Sequence, residues 1–239
     1  HRDLHVRSRR QRQMCIRDSF TFDDFDTNMH DEWKDASAER LKEPGWGNRY
    51  EYEAKLVRSV VEQNSNIKKV LEIGSGPGVL SQEVLKLKPE LEFTLIDKPF
   101  AKEYFDEHNF KGKFIVKDLA NSFDTDGLEE KYDLIIMNDF LEHVQNPTII
   151  MQTVYDLTDK DSVIFVSNPN WRMNHQFIYR GLFDFDNFLY FMYVHKLEAT
   201  SLTGSILKTP FYPKLDSEKL LPEENIQDWN HYMTFKHRT

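Results

Sequence analysis

The sequence predicts an α/β fold with a doubly wound parallel sheet, and three observations favour it. Short apolar runs alternate with helical patterns after residue 48. One of these runs, residues 133–137 (DLIIM), is apolar throughout after its first residue, as expected of a strand buried on both faces. Another run leads into a glycine-rich segment, residues 74–78, which is typical of a turn from a strand into a helix that binds a ligand.

The elements follow from the spacing of apolar residues. Tyr52, Leu56 and Val60 recur at helical intervals, and Pro89 ends the second helical pattern. The predicted helices cover residues 50–63, 79–87, 147–157 and 187–197. The predicted strands cover residues 69–73, 91–96, 114–116, 133–137, 162–166, 200–207 and 232–237. Seven strands are therefore available for one domain.

The first 19 residues differ in character from the rest of the chain. HRDLH and RRQRQMCIRDS match the translation of a transposon-type sequencing adapter, so we interpret residues 1–19 as an artefact outside the fold. A natural basic arm for nucleic acid is the alternative. Residues 20–48 are rich in aromatic and acidic side chains and are interpreted as a cap segment, or as a helix at the sheet edge. The domain proper is expected over residues 49–239.

Charge and cysteine content narrow the function classes. Residues 1–19 hold six of the 31 Lys and Arg and two of the 40 Asp and Glu, which leaves 25 basic and 38 acidic residues, a net charge of −13. That balance argues against nucleic acid as a partner. Cys15, the only cysteine, lies in the same segment. No apolar run approaches the roughly 20 residues of a membrane helix, and cytoplasm is the default location.

Residues 70–80 read VLEIGSGPGVL. The dinucleotide fingerprint G-x-G-x-x-G requires Gly or Ala where this chain has Val79. The stretch more closely resembles the first motif of class I S-adenosylmethionine-dependent methyltransferases, in which an acid such as Glu72 precedes G-x-G-x-G by two residues. The resemblance implies a seven-stranded Rossmann-like sheet with an antiparallel last strand, and S-adenosylmethionine as the cofactor. It assigns the following residues to the cofactor site: Glu72, Gly74, Ser75, Gly76 and Gly78.

Further candidate residues follow the later strands. Asp97 lies 19 residues beyond Gly78, where its carboxylate can accept both ribose hydroxyl protons, with a helix cap as the alternative. By the resemblance, Asp118 meets the adenine amine and Leu119 packs on the ring; a turn is the alternative. Asn138, in YDLIIMNDFLEHV, is expected to line the methionine end of the cofactor through its backbone carbonyl or its side chain.

The same stretch contains His143, which is either a general base for a substrate hydroxyl or amine, or a scaffold residue. Residues 167–171 read SNPNW. The N-P-P-Y-type motif of nucleic-acid amino-methylating enzymes follows the fourth strand, whereas this segment follows the fifth, so that function is not carried over. Asn168 is expected to shape the substrate mouth.

An aromatic-rich insertion at residues 170–195 is the candidate substrate lid. Trp171 lies at its start, and Arg172 and His175 are candidate anchors for an acidic acceptor. Its helical part, residues 182–195, is equally consistent with buried core or with a homodimer interface.

These observations together predict methyl transfer from S-adenosylmethionine to a hydroxyl or amine of a small molecule. A NAD-type oxidoreductase and a non-catalytic S-adenosylmethionine-binding scaffold remain possible, as does a methyltransferase acting on protein or RNA, although the acidic balance disfavours RNA. The scattered residues His195, His231 and His237 match no metal-ligand spacing, so no metal is expected.

Overall fold

A computed structural model describes residues 44–119, 123–129, 131–141, 144, 147–169, 191–203 and 230–238. The chain divides into two units, residues 1–47 and 48–239, and the sheet belongs to the second. The helices are α1 (Pro44–Gln63), α2 (Val79–Leu87), α3 (Pro99–Glu107) and α4 (Pro147–Asp156). The strands are β1 (Lys69–Ile73), β2 (Glu92–Asp97), β3 (Lys113–Val116), β4 (Leu134–Asn138), β5 (Val163–Pro169), β6 (Leu197–Thr203) and β7 (Asn230–His237).

The seven strands form one sheet in the order β3-β2-β1-β4-β5-β7-β6. The pairs among β1 to β5 are parallel, and β7 runs antiparallel to both β5 and β6. This arrangement confirms the predicted doubly wound, mostly parallel sheet. The order reverses between β1 and β4, and ligands of such sheets bind beyond the carboxyl ends of the strands at that point.

The core lies on both faces of the sheet because the central strands are apolar on both sides. In β1, Val70 packs in one apolar cluster, whereas Leu71 and Ile73 pack in the other. The same alternation divides β4, with Ile136 on the first side and Met137 on the second. All of these side chains are fully buried, which fixes the register of the strands that carry the site.

The main differences from the sequence prediction concern α1, α3 and the segment that leads into β6. Helix α1 begins six residues before the predicted start at Tyr50, and α3 was not predicted because it buries only Ala101 and Phe105 among charged residues. The predicted helix over residues 187–197 is described only from Phe191. It ends before Lys196, whose φ of 63° leaves the helix, and β6 then starts at Leu197, earlier than predicted, because its residues pair with β7.

Among the described residues, none of the helices has both the length and the apolarity that spanning a bilayer requires.

Candidate functional site

The glycine loop, residues 74–78, connects β1 to α2 at the reversal point of the sheet. The N–H groups of Gly74 and Ser75 both donate to the carbonyl of Ile96, at 3.0 and 3.1 Å, which ties the loop to the end of β2. Helix α2 starts directly after Gly78, whose φ of 85° is left-handed. The first turn of α2 therefore lies at this edge of the sheet, where the first N–H groups of a helix have no partner within the helix.

The backbone conformation and the packing inside the protein both require glycine at position 74. Its φ is 69°, a left-handed conformation that side chains disfavour, and a Cβ on it would lie 2.2 Å from Cδ2 of Phe140. A Cβ on Gly78 would similarly lie 2.7 Å from Cδ2 of Leu95. Packing beneath the loop, together with the left-handed backbone, thus requires glycine at both positions.

Asp97 ends β2 beside the loop and is half-buried. Its Oδ2 accepts the N–H of Gly76 at 2.6 Å, and its Oδ1 accepts the N–H of Lys98 at 2.7 Å. Burial raises the pKa of Asp97 above its ordinary value, and the two N–H groups oppose that effect. Lys98 is itself the N-cap residue of α3, which has no side-chain cap, so a helix-cap role for Asp97 is not supported.

The two Asp97 oxygens each retain acceptor capacity after these bonds, since a carboxylate offers about four lone-pair positions. Along the sheet, Asp97 is in register with Val116 of β3, and Asp118 follows two residues later. The Asp118 side chain is 63% exposed, with Oδ1 at 4.0 Å from Nζ of Lys98. Leu119 is buried. Two acids and an apolar residue, all predicted cofactor contacts, therefore lie at or just after the ends of the neighbouring strands β2 and β3.

Glu72 lies inside β1 and is 2% exposed. The N–H of Ser81 in α2 bonds to its carboxylate, but Oε2 has no partner among the described residues. Burial raises the pKa of Glu72 well above its ordinary value, and the charges of Glu53 and Asp97 raise it further. A buried acceptor without a donor is thus present behind the glycine loop.

The carboxyl end of β4 is held by a network that the sequence did not predict. We call it the Glu53 cluster, and its members are Arg49, Glu53, Asn138, Asp139, Ser167 and Tyr232. Glu53 is fully buried and accepts bonds from Arg49, Asn138 and Tyr232. Ser167 donates to the Asn138 side chain, and Arg49 also donates to Asp139. The Asn138 carboxamide, a predicted cofactor contact, is therefore oriented from within the protein.

Opposing charges explain the electrostatics of this cluster. Burial raises the pKa of Glu53, and the Arg49 guanidinium opposes it. For Arg49, burial alone would lower the pKa, but the carboxylates of Asp139 and Glu53 raise it. The pKa of the Tyr232 hydroxyl is raised by burial and by the charge of Glu53. One signal in the sequence could have revealed the cluster: Glu53 lies on the apolar face of α1, next to Ala54 and beside Leu56.

All nine predicted cofactor residues lie within or directly after β1 to β4, or in the glycine loop. Asn168 lies in β5, in register with His231 of β7. His143, Trp171, Arg172 and His175 lie outside the described residues. Within the described ranges, no group of three or more His, Cys, Asp and Glu side chains could hold a metal ion.

The donor set at this edge of the sheet fits S-adenosylmethionine. Asp97 has acceptor capacity for vicinal hydroxyls beside a loop of left-handed glycines. The exposed carboxylate of Asp118 can accept a hydrogen bond from an amine, and the next residue, Leu119, is apolar and buried. Behind the loop, the buried Oε2 of Glu72 has no hydrogen-bond partner among the described residues and can take part in a bond to a ligand.

Comparisons with known sequences agree with this fit. A family model described as a methyltransferase domain matches residues 31–200. The ribosomal RNA small subunit methyltransferase C of Buchnera aphidicola subsp. Baizongia pistaciae is 32% identical over 126 residues, which are 51% of this chain and 36% of that protein. The ubiquinone biosynthesis O-methyltransferase of Glaesserella parasuis is 33% identical over 112 residues, 43% and 46% of the two chains. The chain thus spans less than half the length of these curated relatives.

Solved structures share the fold at low sequence identity. The plantazolicin methyltransferase BpumL, in complex with a monoazolic desmethylPZN analog and SAH, has a TM-score of 0.58 at 16% identity, over 88% of this chain and 94% of that one. An S-adenosylmethionine-dependent methyltransferase from Clostridium acetobutylicum has a TM-score of 0.57 at 12% identity, over 90% and 99%. The fold, the glycine loop and the match over residues 31–200 lead to one conclusion: this chain belongs to the methyltransferase-domain family.

Proposed function

We propose that the protein transfers a methyl group from S-adenosylmethionine to a hydroxyl or amine of a small molecule. The observation that carries this proposal is the Asp97 carboxylate, fixed by the N–H groups of Gly76 and Lys98 next to the glycine loop. The methyltransferase-domain family model covers this residue, and a carboxylate can accept bonds from both ribose hydroxyls of the donor.

The donor, when bound, supplies an electrophilic methyl group on a sulfonium. In our proposal, Asp97 accepts the ribose hydroxyls, while Asp118 and Leu119 receive the adenine. The glycine loop and Asn138 border the methionine end, and Glu72 places its buried Oε2, which is unpartnered in the described part of the chain, behind the loop. The chain thereby fixes the donor along the carboxyl ends of β1 to β4.

The remaining task of the chain is to hold the acceptor close to the methyl group and in line with the bond that breaks. Such positioning can supply most of the acceleration of a displacement. We assign the acceptor side to Asn168, Trp171, Arg172 and His175, on the basis of sequence. His143 is the proposed base, which takes the proton from the attacking hydroxyl or amine.

A small-molecule acceptor is supported by two of the similar proteins, an O-methyltransferase of ubiquinone biosynthesis and a plantazolicin methyltransferase. The similarity to a ribosomal RNA methyltransferase raises RNA as a second candidate. The net charge of −13 outside residues 1–19 disfavours a phosphate backbone. The Asn168-Pro169 pair also lies in β5 and not after β4, unlike the motif of nucleic-acid amino-methylating enzymes.

An oxidoreductase and a non-catalytic scaffold are both disfavoured. A NAD-type oxidoreductase would need a small residue in place of Val79, which is buried at the start of α2. A non-catalytic S-adenosylmethionine-binding scaffold would keep the same donor side and is disfavoured by the match to a family described as a methyltransferase domain. It would transfer no label in the labelling experiment below.

The proposal also includes a cytoplasmic location and a homodimer formed through residues 182–195. Cell fractionation tests the location, and recovery of the protein in a membrane fraction would contradict it. Sedimentation velocity of the full chain against a variant lacking that segment tests the dimer. A full chain that sediments as a monomer would contradict the dimer.

Calorimetric titration of the full chain with S-adenosylhomocysteine and with NAD tests the function. We expect saturable binding of S-adenosylhomocysteine at one site per chain and no binding of NAD. Binding of NAD alone would contradict the proposal. Incubation with labelled S-adenosylmethionine and metabolite extracts should then transfer label to a small molecule, and label found only in RNA or protein would contradict the acceptor class.

A further inference from the structure

Glu53 occupies a position at which packing alone would favour an apolar residue. It lies on the buried face of α1 beside Ala54, Leu56 and Val57, and it is itself 0% exposed. Burying a carboxylate is costly unless it is paired and hydrogen-bonded. The reason for an acid here must therefore be sought in its partners.

Those partners come from three different elements. Oε1 of Glu53 accepts Nε of Arg49 at 2.7 Å, from the same helix, and the hydroxyl of Tyr232 at 3.1 Å, from β7. Oε2 accepts Nδ2 of Asn138 at 3.1 Å, from the end of β4. Both carboxylate oxygens are thus used, and one of them is used by a residue of the proposed donor site.

These bonds orient Asn138 and Asp139, the two residues that follow the apolar part of β4. The Asn138 carboxamide is fixed on its other side by Oγ of Ser167, which donates to Oδ1 at 2.6 Å. Arg49 extends from Glu53 to the carboxylate of Asp139, whose φ of 48° is left-handed for a side-chain-bearing residue. Glu53 therefore holds Asn138 directly and Asp139 through Arg49.

We propose that Glu53 is a positioning residue of the donor site: its buried carboxylate sets the orientation of Asn138 and, through Arg49, of Asp139 at the methionine end of the methyl donor. This inference rests on the function proposed above. Glu53 acts through these neighbours and does not itself contact the donor or the acceptor. A role in folding alone would lower stability but leave the affinity of the folded protein unchanged.

The first test is Glu53→Gln in the full chain, with S-adenosylhomocysteine affinity measured by calorimetry and folding checked by circular dichroism. The variant keeps the shape of the side chain but replaces one acceptor oxygen with an amide N–H donor. That donor must face either the amide N–H of Asn138 or the donors of Arg49 and Tyr232. We expect the dissociation constant to rise about tenfold. Glu62→Gln is the matched control, because Glu62 lies on the same helix, 48% exposed and paired with Arg58. It should stay within about twofold of wild type.

A reversal of hydrogen-bond polarity provides the rescue. Asn138→Asp alone sets a second carboxylate against Glu53 and should weaken binding. In the double variant Glu53→Gln/Asn138→Asp, the new amide at position 53 donates to the new carboxylate at position 138, while its oxygen still accepts from Arg49 and Tyr232. Ser167 can donate to either side chain at 138. We expect the double variant to recover affinity to within about threefold of wild type.

The outcomes of these experiments distinguish a failure of the positioning role of Glu53 from a failure of the proposed methyltransferase function. A folded Glu53→Gln chain with wild-type affinity, or a double variant that binds no more tightly than the weaker single variant, overturns the positioning role while the proposed function stands. A wild-type chain that does not bind S-adenosylhomocysteine overturns both. If Glu53→Gln does not fold, Tyr232→Phe is the milder variant, because it removes one donor to Glu53. We expect its affinity to fall about threefold, and unchanged affinity would contradict the inference.

Discussion

The two sides of the candidate site are built in different ways. At the ends of β1 and β2, the glycine loop and Asp97 are joined by bonds from backbone N–H groups, within a short stretch of chain. At the end of β4, the bonds join side chains, and Glu53 bonds to residues 85 and 179 positions away. A site built from backbone and one local motif can be recognised in a sequence, whereas a network of distant side chains becomes visible only in the fold.

The largest expected effect is on the backbone-built side, from Gly74→Ala. The new Cβ would meet Phe140, and the left-handed backbone adds strain, so we expect a loss of roughly 2–5 kcal/mol in the free energy of unfolding. Gly127→Ala is the matched control: its φ is also left-handed, at 80°, but the nearest atom to the new Cβ is 3.8 Å away. It should cost about 1–2 kcal/mol in denaturant unfolding. Equal losses in the two variants would show that packing under the loop is unimportant.

Asp97→Ala comes next and reports on binding. Removing a charged acceptor is worth about 1.5–3 kcal/mol, so S-adenosylhomocysteine affinity should fall at least tenfold in calorimetry. Asp106→Ala on α3 serves as the control, because Asp106 is exposed and forms a surface ion pair with Lys102. Unchanged affinity on Asp97→Ala would remove the ribose assignment.

The third prediction concerns pH and the buried acid behind the loop. The pKa of Glu72 is raised in the folded state, so the folded chain binds a proton more tightly than the unfolded chain. Wild-type stability should therefore fall as pH rises above the ordinary value of 4.5, with a slope of at most about 1.4 kcal/mol per pH unit from this group.

Glu72→Gln should remove that slope and make the ligand-free protein more stable than wild type at neutral pH, but not at pH values below the ordinary pKa of the carboxyl. Denaturant unfolding across this range measures it. A variant that is less stable than wild type at every pH would contradict the account of Glu72 as a buried acid with an unpartnered oxygen.

The smallest expected effect is on the side-chain network. Tyr232→Phe removes one hydrogen bond to Glu53 and should cost about 0.5–1.5 kcal/mol of unfolding free energy. Tyr155→Phe, on a half-buried residue of α4 that stacks on His237, is a suitable control for the loss of a phenolic hydroxyl. A loss for Tyr232→Phe no larger than for the control would mean that the network tolerates the missing donor.

The sequence was informative where structure is local. The strands were predicted from their apolar runs, and the glycine loop and Asp97 followed from one motif and its spacing. The sequence did not predict helix α3, because its two buried side chains give too weak a helical pattern of apolar residues. The start of β6 depends on pairing with β7, which is distant in the chain. The partners of Glu53 could not be predicted for the same reason, although its place on an apolar helix face was a visible anomaly.

A crystal structure of the complex with S-adenosylhomocysteine tests the central claim most directly. The account predicts the ribose hydroxyls on the Asp97 carboxylate, the adenine beside Asp118 and Leu119, and the amino-acid end next to the glycine loop and Asn138. A ligand bound away from the ends of β1 and β2, with its ribose out of reach of Asp97, would contradict it.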